Sequence, residues 1–286
     1  MLPFHKILFP VDYSAPCRAI VPYIKEIRQR FSTELTLVHA YGPEALAYSS
    51  LPISDPDLPE AARAHEDQRL REFALEVFPG EHVETCAELG EPGTAIHKLL
   101  QHQGADLIML ATHGRGPIRR LLLGSVAAKV LHDASAAVWT GTGSALMEHP
   151  PQIPYRSILC AVDDSDEAEG VLKAAAALAA AYDARWSLVH VLETPPEPLE
   201  VDFTPYNREA LAAADFRLRE LKGQCGIDAP HAVLDGMVAG VLRQEALRQG
   251  AGLIVTGRGA VQSRFSRLWS HLYQIVRESP CPVLSI

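Results

Sequence analysis

The chain has 286 residues, of which 48% are hydrophobic and 21% charged, and its 26 basic and 35 acidic side chains leave a formal net charge of −9. This composition is typical of an ordinary soluble globular protein and excludes disordered, collagen-like and coiled-coil chains. The acidic balance argues against a general nucleic-acid or anionic-membrane binder, because both surfaces repel a net-negative protein. At roughly 150 residues per domain, the length predicts two domains, with one larger domain as the alternative.

The first half of the chain alternates short apolar runs with helical patterns. The strand-like runs are rich in Val, Ile and Leu and alternate only weakly, which is typical of strands covered on both faces. The stretch 41–59 carries four prolines and is predicted to be a long loop, either a lid or partner surface or a plain connection. Strands are predicted at Lys6–Val11, Leu35–Ala40, His82–Leu89, Leu107–Ala111 and Ala136–Thr140, and helices near 15–31, 60–78, 92–103 and 124–133.

The second half of the chain repeats the first. The run ILFPVD at 7–12 recurs as ILCAVD at 158–163, an offset of 151. Later, GADLIMLA at 104–111 recurs as GAGLIVTG at 250–257, an offset of 146. Copies of roughly 140 residues are too long for a solenoid repeat and indicate a tandem domain duplication. Strands of the second copy are predicted near 156–162, 185–191, 229–235, 252–256 and 282–286.

Strand–helix alternation with these lengths implies βαβ units. We therefore predict an α/β protein of two tandem, doubly wound, Rossmann-like domains, each with a five-stranded parallel sheet. The domains are placed at 1–140 and 156–286, and the stretch 141–155, which carries Gly and Pro and lacks periodicity, is the predicted linker.

Nothing in the sequence predicts export or membrane insertion. No uncharged apolar run of about 18 residues is present, and the N-terminus lacks the features of a secretory signal. The five cysteines are odd in number, scattered and never spaced as CxxC, which favours buried thiols over a disulfide framework or a zinc site. The cytoplasm is the expected location.

The chemistry is expected where the carboxyl ends of the strands meet, because doubly wound sheets bind ligands at that edge. Asp12 follows the first strand, Ala40 ends the second, and the segment after the fourth reads Ala111-x2-Gly114-x9-Gly124-Ser125. Glycine has no Cβ, so its backbone N–H approaches an anion closely. Ser125 at a helix start adds a hydroxyl, free amides and the positive end of the helix dipole.

These features indicate a phosphate-binding site, and neighbouring polar and charged side chains support that interpretation. Arg115, Arg119 and Arg120 place cations in the loop. His113 lies in the same loop and is interpreted either as a further donor to phosphate or as an ordinary loop residue. The Asp12 carboxylate is suited to accept hydrogen bonds from ribose hydroxyls or an adenine amino group. A simple turn and helix cap at Gly124-Ser125 is the competing interpretation.

Together these residues resemble the ATP motif of the universal stress protein family, Gly-x2-Gly-x9-Gly-(Ser/Thr). The LVH strand at 37–39, the Gly90-Glu91-Pro92 turn and the endings ASAAVWT and SPCPVLS support the resemblance, which covers both halves. It points to the tandem two-domain members and implies an adenine-nucleotide ligand, ATP or AMP/ADP. It further implies that the last strands, 136–140 and 282–286, pair as an intramolecular pseudo-dimer, with homodimerisation a further expectation by analogy.

The resemblance can be carried over to individual positions. Residues equivalent to Pro10, Asp12 and Ala40 line the adenosine end, and those equivalent to Leu110, Gly114, Gly124, Ser125 and Val126 hold ribose and phosphates. The predicted set is completed by Val11, Ala111, His113 and Arg115. Ala111 stands where the family has its first motif glycine, a change that crowds the nucleotide without excluding it.

The second copy has drifted from this motif. At an offset of 146 it reads Gly257-x2-Ala260-x9-Ser270-His271, so two glycines and the hydroxyl residue are replaced. Asp163 and Val191 persist, so the second copy is still compatible with an adenosine-shaped pocket. Its loop carries Arg258, Arg264 and Arg267. We predict one competent nucleotide site and one degenerate copy.

No catalytic residue or metal site is predicted. The sequence lacks HExxH, paired CxxC, GxSxG and P-loop patterns, and His39 and His190, which recur at matching positions, are given a structural role. Slow ATP hydrolysis or self-phosphorylation is the most that the resemblance allows, and any Mg²⁺ would be held mainly by phosphate oxygens and water. The leading hypothesis is a nucleotide-binding stress sensor or regulator with an unidentified protein partner. The alternatives are a weak ATPase and a nucleotide-independent interaction protein.

Overall fold

The computed structural model describes residues 4–42, 58–112, 123–141, 151–193, 204–258 and 267–286. The chain divides into two compact units, Pro3–Met147 and Glu148–Ile286. None of the helices in the described ranges is both long and apolar enough to cross a bilayer.

The first unit is a parallel sheet with helices between its strands. The strands pair in the order β3-β2-β1-β4-β5, and every pairing is parallel. The order reverses between β1 and β4, which identifies the switch point of a doubly wound sheet. Its elements are β1 (Lys6–Pro10), α1 (Ala15–Phe31), β2 (Glu34–Tyr41), α2 (Leu58–Val77), β3 (Glu84–Leu89), α3 (Pro92–Gln103), β4 (Leu107–Ala111), α4 (Ser125–Asp133) and β5 (Ala137–Gly141).

The second unit repeats this topology. Its strands pair in the order β8-β7-β6-β9-β10, again all parallel, with the reversal between β6 and β9. Its elements are β6 (Ser157–Ala161), α5 (Ala168–Tyr182), β7 (Arg185–Glu193), α6 (Thr204–Cys225), β8 (His231–Gly236), α7 (Val238–Gln249), β9 (Leu253–Thr256), α8 (Arg267–Glu278) and β10 (Val283–Ser285).

The central strands are buried on both faces, as their weakly alternating sequences predict. Ile7, Leu8 and Phe9 of β1 are inaccessible to solvent, and so are the middle residues of β4. Trp139 of β5 is also buried, and its ring packs on Tyr23 of α1 with centroids 4.9 Å apart. Helices cover these faces because parallel strands require crossover connections.

Local sequence signals set the helix ends. Ser14 caps α1, where its Oγ accepts the Cys17 N–H at 3.2 Å. Helix α3 begins at Pro92 and ends at Gln103, and the following residue, Gly104, adopts φ +64°, a left-handed conformation that glycine takes at little cost. Helix α4 is preceded by Gly124, which has no side chain to cap the helix.

The predicted α/β fold with parallel sheets is confirmed, and the differences lie at element ends. Strand β2 extends to Tyr41 and α2 begins at Leu58, so each of these elements includes residues of the predicted loop 41–59. Residues 43–57 of that loop lie outside the described residues. Gly141 belongs to β5 because it continues the β4–β5 ladder opposite Ala111. Residues 142–150 of the predicted linker are also outside the described ranges. The pseudo-dimer pairing of the last strands stays a prediction.

Candidate functional site

A cavity of about 370 Å³ opens in the first unit at the switch point between β1 and β4. This edge is where a doubly wound sheet places its ligand. Nine of the twelve predicted site residues line the cavity, and the other three, His113, Gly114 and Arg115, lie outside the described residues, as do Arg119 and Arg120. The nine are Pro10, Val11, Asp12, Ala40, Leu110, Ala111, Gly124, Ser125 and Val126.

The turn after β1 holds the Asp12 carboxylate in one orientation. Strand β1 ends at Pro10, and the Val11 N–H donates to the Val38 carbonyl at 2.8 Å, which keeps the turn attached to β2. Asp12 Oδ1 accepts the backbone N–H of Ser14 at 3.0 Å and its hydroxyl at 2.6 Å. A carboxylate placed by two local donors is preorganised for a ligand in the cavity.

The opposite side of the cavity is the start of α4. The Gly124 N–H donates to the Thr112 carbonyl at 2.7 Å, and the Thr112 N–H donates to the Gly141 carbonyl at 3.0 Å, so the helix start is fastened to the sheet. The cap position provides no side-chain acceptor for the first-turn amides. Because these amides also lack intrahelical partners, the N-terminus of α4 is suited to an anion.

The remaining wall is apolar and was only partly predicted. Val38, Leu123, and Pro92 and Ile96 of α3 line the cavity, although none of them was in the predicted set. The four-residue spacing of Pro92 and Ile96 is the signal for this face of α3, because such residues lie on one side of a helix. An apolar wall with a few convergent polar groups is the usual character of a small-molecule site.

Two further residues of the wall, both polar, bear on the cavity's chemistry. Cys17 lines it, and burial raises the pKa of its thiol to about 12, so the sulfur stays protonated and unreactive near neutral pH. His39 lines it too, and its Nδ1 lies 2.7 Å from the Val11 carbonyl oxygen. Among the lining residues that the structure describes, Asp12 is the one carboxylate. The described ranges hold no group of three or more His, Cys, Asp or Glu residues suited to a metal ion.

The second unit has a smaller cavity at the equivalent edge, of about 260 Å³. Asp163 and Val191, which persist from the motif, both line it. Asp163 Oδ1 accepts the N–H and the hydroxyl of Ser165 at 3.1 and 2.5 Å, which repeats the arrangement of Asp12 and Ser14. The carboxylate geometry is therefore common to both cavities.

The part of the second cavity that corresponds to the start of α4 differs from its counterpart in the first unit. His271, at the offset of 146 from Ser125, places its Nε2 3.0 Å from Glu193 Oε1, and both residues line the cavity. Arg258, at the same offset from Thr112, also lines it, and burial lowers the pKa of its guanidinium. A carboxylate and an imidazole thus stand where the first unit presents a serine at a helix start.

Comparison with known proteins agrees with both the fold and the repeat. The sequence model of the universal stress protein family matches residues 3–140 and, again, residues 154–286. A universal stress protein of Thermus aquaticus is 35% identical over 140 residues, which are 46% of this chain and 98% of that protein. A Staphylococcus aureus relative is 29% identical over 142 residues, 48% of this chain and 84% of its own length.

Among solved structures, a universal stress protein from Archaeoglobus fulgidus superposes with a TM-score of 0.70. It is 21% identical, and the match covers 99% of this chain and 98% of that one, which shows a shared fold over both units. The chain therefore belongs to the universal stress protein family and carries two of its domains in tandem.

Proposed function

We propose that the first unit binds an adenine nucleotide, ATP or AMP/ADP, and that the protein acts as a stress-response sensor or regulator. The observation that carries the proposal is the cavity at the β1–β4 switch point, which gathers nine residues predicted from sequence. In this scheme the nucleotide changes the shape of the protein or its choice of protein partner.

The cavity offers a suitable surface to each part of a nucleotide. Pro10, Val11 and Ala40 provide an apolar end for the base, and the Asp12 carboxylate is a hydrogen-bond acceptor for ribose hydroxyls. The start of α4 at Ser125 supplies backbone amides and the positive end of the helix dipole for phosphate. Any Mg²⁺ would be carried by phosphate oxygens and water.

Ala111 is compatible with this proposal. It is the last residue of β4, and its register partner on β5 is Gly141, which has no side chain. A single methyl group narrows the cavity by less than any other side chain in that position. We therefore propose that the alanine weakens binding without abolishing it.

We propose a binding protein in preference to an enzyme. General acid–base catalysis of hydrolysis requires a group that activates water and one that protonates the leaving group. Asp12 is the one carboxylate among the described lining residues, and its Oδ1 already accepts two hydrogen bonds from Ser14. Steady-state phosphate release tests this point, with negligible release expected from a preparation that binds ATP.

Calorimetry with ATP, ADP and AMP tests the binding proposal, and the repeat provides a matched control. Asp12→Asn removes the charge from the first cavity, and Asp163→Asn makes the same change beside Ser165 in the second. We expect Asp12→Asn to weaken binding about tenfold or more, because a hydrogen bond to a charged group is lost. Asp163→Asn should leave the affinity unchanged.

The same experiment can refute the proposal. No heat and no thermal shift at millimolar nucleotide would show that the wild-type cavity is not a nucleotide site. Equal losses of affinity in both variants would show that the charge acts at a distance and not through the first cavity.

A cytoplasmic location is proposed as well. All five cysteines are free, and Cys17, Cys160 and Cys281 are buried, as expected of a protein made in a reducing compartment. Size-exclusion chromatography with light scattering would test the homodimer expected from the family resemblance.

A further inference from the structure

Four side chains form a ring of contacts at the first cavity, and the nucleotide scheme assigns none of them a role. The carboxylate of Glu66, on α2, places Oε2 3.6 Å from His39 Nε2 and 3.6 Å from a guanidinium nitrogen of Arg69. The Arg69 guanidinium lies 4.2 Å from the centre of the Tyr13 ring. The Tyr13 ring in turn packs on His39, with centroids 4.7 Å apart. We call these four residues the Glu66 cluster.

The Glu66 cluster places a carboxylate where carboxylates are rarely found. Glu66 is 3% exposed, and its Oε2 makes no hydrogen bond within the described part of the chain. A buried carboxylate is costly unless cations face it, and here those cations are Arg69 and the ring of His39.

His39 has acceptors on both sides of its ring. Nδ1 faces the Val11 carbonyl oxygen at 2.7 Å, and a carbonyl can only accept, so this nitrogen carries a proton. Nε2 faces the Glu66 carboxylate, which is also an acceptor when ionised. Both contacts are favourable together when the ring carries two protons, as an imidazolium.

The cluster bears directly on the turn that carries Asp12. His39 bonds to Val11 on one side of Asp12 and packs on Tyr13 on the other. Tyr13 has φ +63°, a left-handed conformation that is sterically costly for a side chain with a Cβ. Strained residues persist when the surrounding structure fixes them, and they concentrate at functional sites. The contacts of the Glu66 cluster are such a surrounding structure for Tyr13.

The second unit keeps the histidine and the arginine of this cluster but not its buried carboxylate. At an offset of 148, Arg217 stands in the place of Arg69 and pairs with Asp164, which stands at the position of Tyr13. The same offset places Ala214, 1% exposed, where Glu66 lies. His190 Nδ1 still faces the Val162 carbonyl oxygen at 3.0 Å, but its Nε2 has no hydrogen-bond partner within the described residues.

We propose that Glu66 and His39 are positioning residues of the first cavity, and that they make its nucleotide affinity depend on proton binding. This inference rests on the proposed function and adds the regulation of that site. With two protons, His39 links α2 to Val11 and holds Asp12 toward the cavity. When the ring gives up the second proton, its Nε2 lone pair faces the Glu66 carboxylate, and the link between α2 and the turn loosens.

Within the described residues, charged and titratable groups lie near His39 on several elements. Glu66 and Arg69 face the cluster from α2, and Asp12 and Tyr13 lie in the turn before α1. Cys17 of α1 is a thiol, and the neighbour of His39 on β3 is the uncharged Ala87. Among these kinds of side chain, an imidazole is the one whose ordinary titration range lies nearest to neutral pH.

The test measures ATP affinity by calorimetry at about pH 6, 7 and 8.5 for the wild type and for Glu66→Gln. A glutamine side chain can accept from a protonated Nε2 or donate to a bare one, so the variant loses the proton dependence. We expect the ratio of wild-type affinity to Glu66→Gln affinity to fall about tenfold between pH 6 and pH 8.5, because the wild type alone loses the contact between His39 and the side chain at position 66. The titration of ATP itself cancels in this ratio.

Glu72→Gln is the matched control. Glu72 lies on the exposed side of the same helix, where it accepts a hydrogen bond from Gln68, and this variant should follow the wild type at every pH. Arg69→Gln opens the cluster from its exposed member and should also weaken binding at pH 6. It replaces Glu66→Gln as the test variant if circular dichroism shows that the latter is not folded.

The outcomes separate this inference from the function on which it rests. If the wild type binds no nucleotide at any pH, the proposed function fails. If the wild type binds and the folded variants show the same affinity ratio at all three pH values, the nucleotide site stands and the positioning role of Glu66 is refuted.

Discussion

The carboxylate of Glu91, which caps the start of α3, provides a prediction about the stability of the first unit and its dependence on pH. Glu91 precedes the helix, and its two carboxylate oxygens accept the N–H groups of Gly93 and Thr94 at 2.9 and 2.8 Å. The Thr94 hydroxyl donates to it at 2.7 Å, and Lys129 Nζ lies 3.1 Å away. The neighbouring Pro92 lines the first cavity, so this cap also places part of the candidate site.

We predict that Glu91→Ala lowers the free energy of unfolding of the first unit by about 1–2 kcal/mol at pH 7. That value is the usual cost of losing a helix cap, and the ion pair with Lys129 adds little because both groups face solvent. For a unit of this size, the loss corresponds to a melting temperature lower by about 3–6 °C, measurable by differential scanning calorimetry.

The hydrogen bonds to Glu91 hold the pKa of its carboxyl at about 2, well below the ordinary value of 4.5. A carboxyl whose pKa is lower in the folded state stabilises the fold above its unfolded pKa, and the stabilisation is lost as the pH falls toward the folded value. The difference between wild type and Glu91→Ala should therefore be full above about pH 5 and shrink steadily toward about pH 2.

Met237 provides the control. It occupies the cap position of α7 at the offset of 146 from Glu91, is 59% exposed and makes no side-chain cap bond. Met237→Ala should leave the melting temperature nearly unchanged. Equal melting temperatures for Glu91→Ala and the wild type at pH 7, or a difference that persists unchanged to pH 2, would show that the carboxylate does not stabilise α3.

Two further predictions concern backbone strain and thiol reactivity. Gly90 has φ +140°, so Gly90→Ala should lower the urea midpoint of the first unit by the equivalent of about 1–3 kcal/mol, and an unchanged midpoint would contradict the strain. Burial raises the pKa of Cys17 and Cys281 to about 12 and also raises that of Cys160, so these thiols should resist a disulfide reagent at pH 7.5 in the folded protein. More than two fast-reacting thiols before denaturation would refute this, whereas all five should react after denaturation.

Periodicity predicted the fold because buried parallel strands have a simple signature. The apolar runs around Ile7 and Ile108 are continuous because helices cover both faces of the sheet, and the predicted strands coincide with β1 and β4 to within one residue. The predicted ends of the strands were less accurate where hydrogen bonding to the neighbouring strand, and not residue type, decides them. Gly141 is in β5 because Ala111 pairs with it, which no propensity scale would indicate.

The candidate site was predictable as far as its residues follow strand ends in the sequence. Asp12, Ala40 and Ala111 each end or follow a strand, and topology brings such positions to one edge of a parallel sheet. Pro92 and Ile96 were missed because they belong to a helix that crosses over the sheet. Glu66 was missed because a carboxylate is expected on the exposed face of a helix, although its spacing of four residues from the buried Ala62 and Leu70 places it on their face.

Two properties of this chain follow from its sequence without coordinates: it holds two copies of one α/β domain, and the first copy keeps more of the family's glycine spacing than the second. Repeats, strand periodicity and glycine spacing are one-dimensional properties, so they can be read without coordinates. The tertiary structure alone decided that Glu66 meets His39, that Glu193 meets His271, and that the two cavities therefore differ in charge. Those partners are 27 and 78 residues apart in the chain, and only the packing of helices onto the sheet edge brings their side chains together.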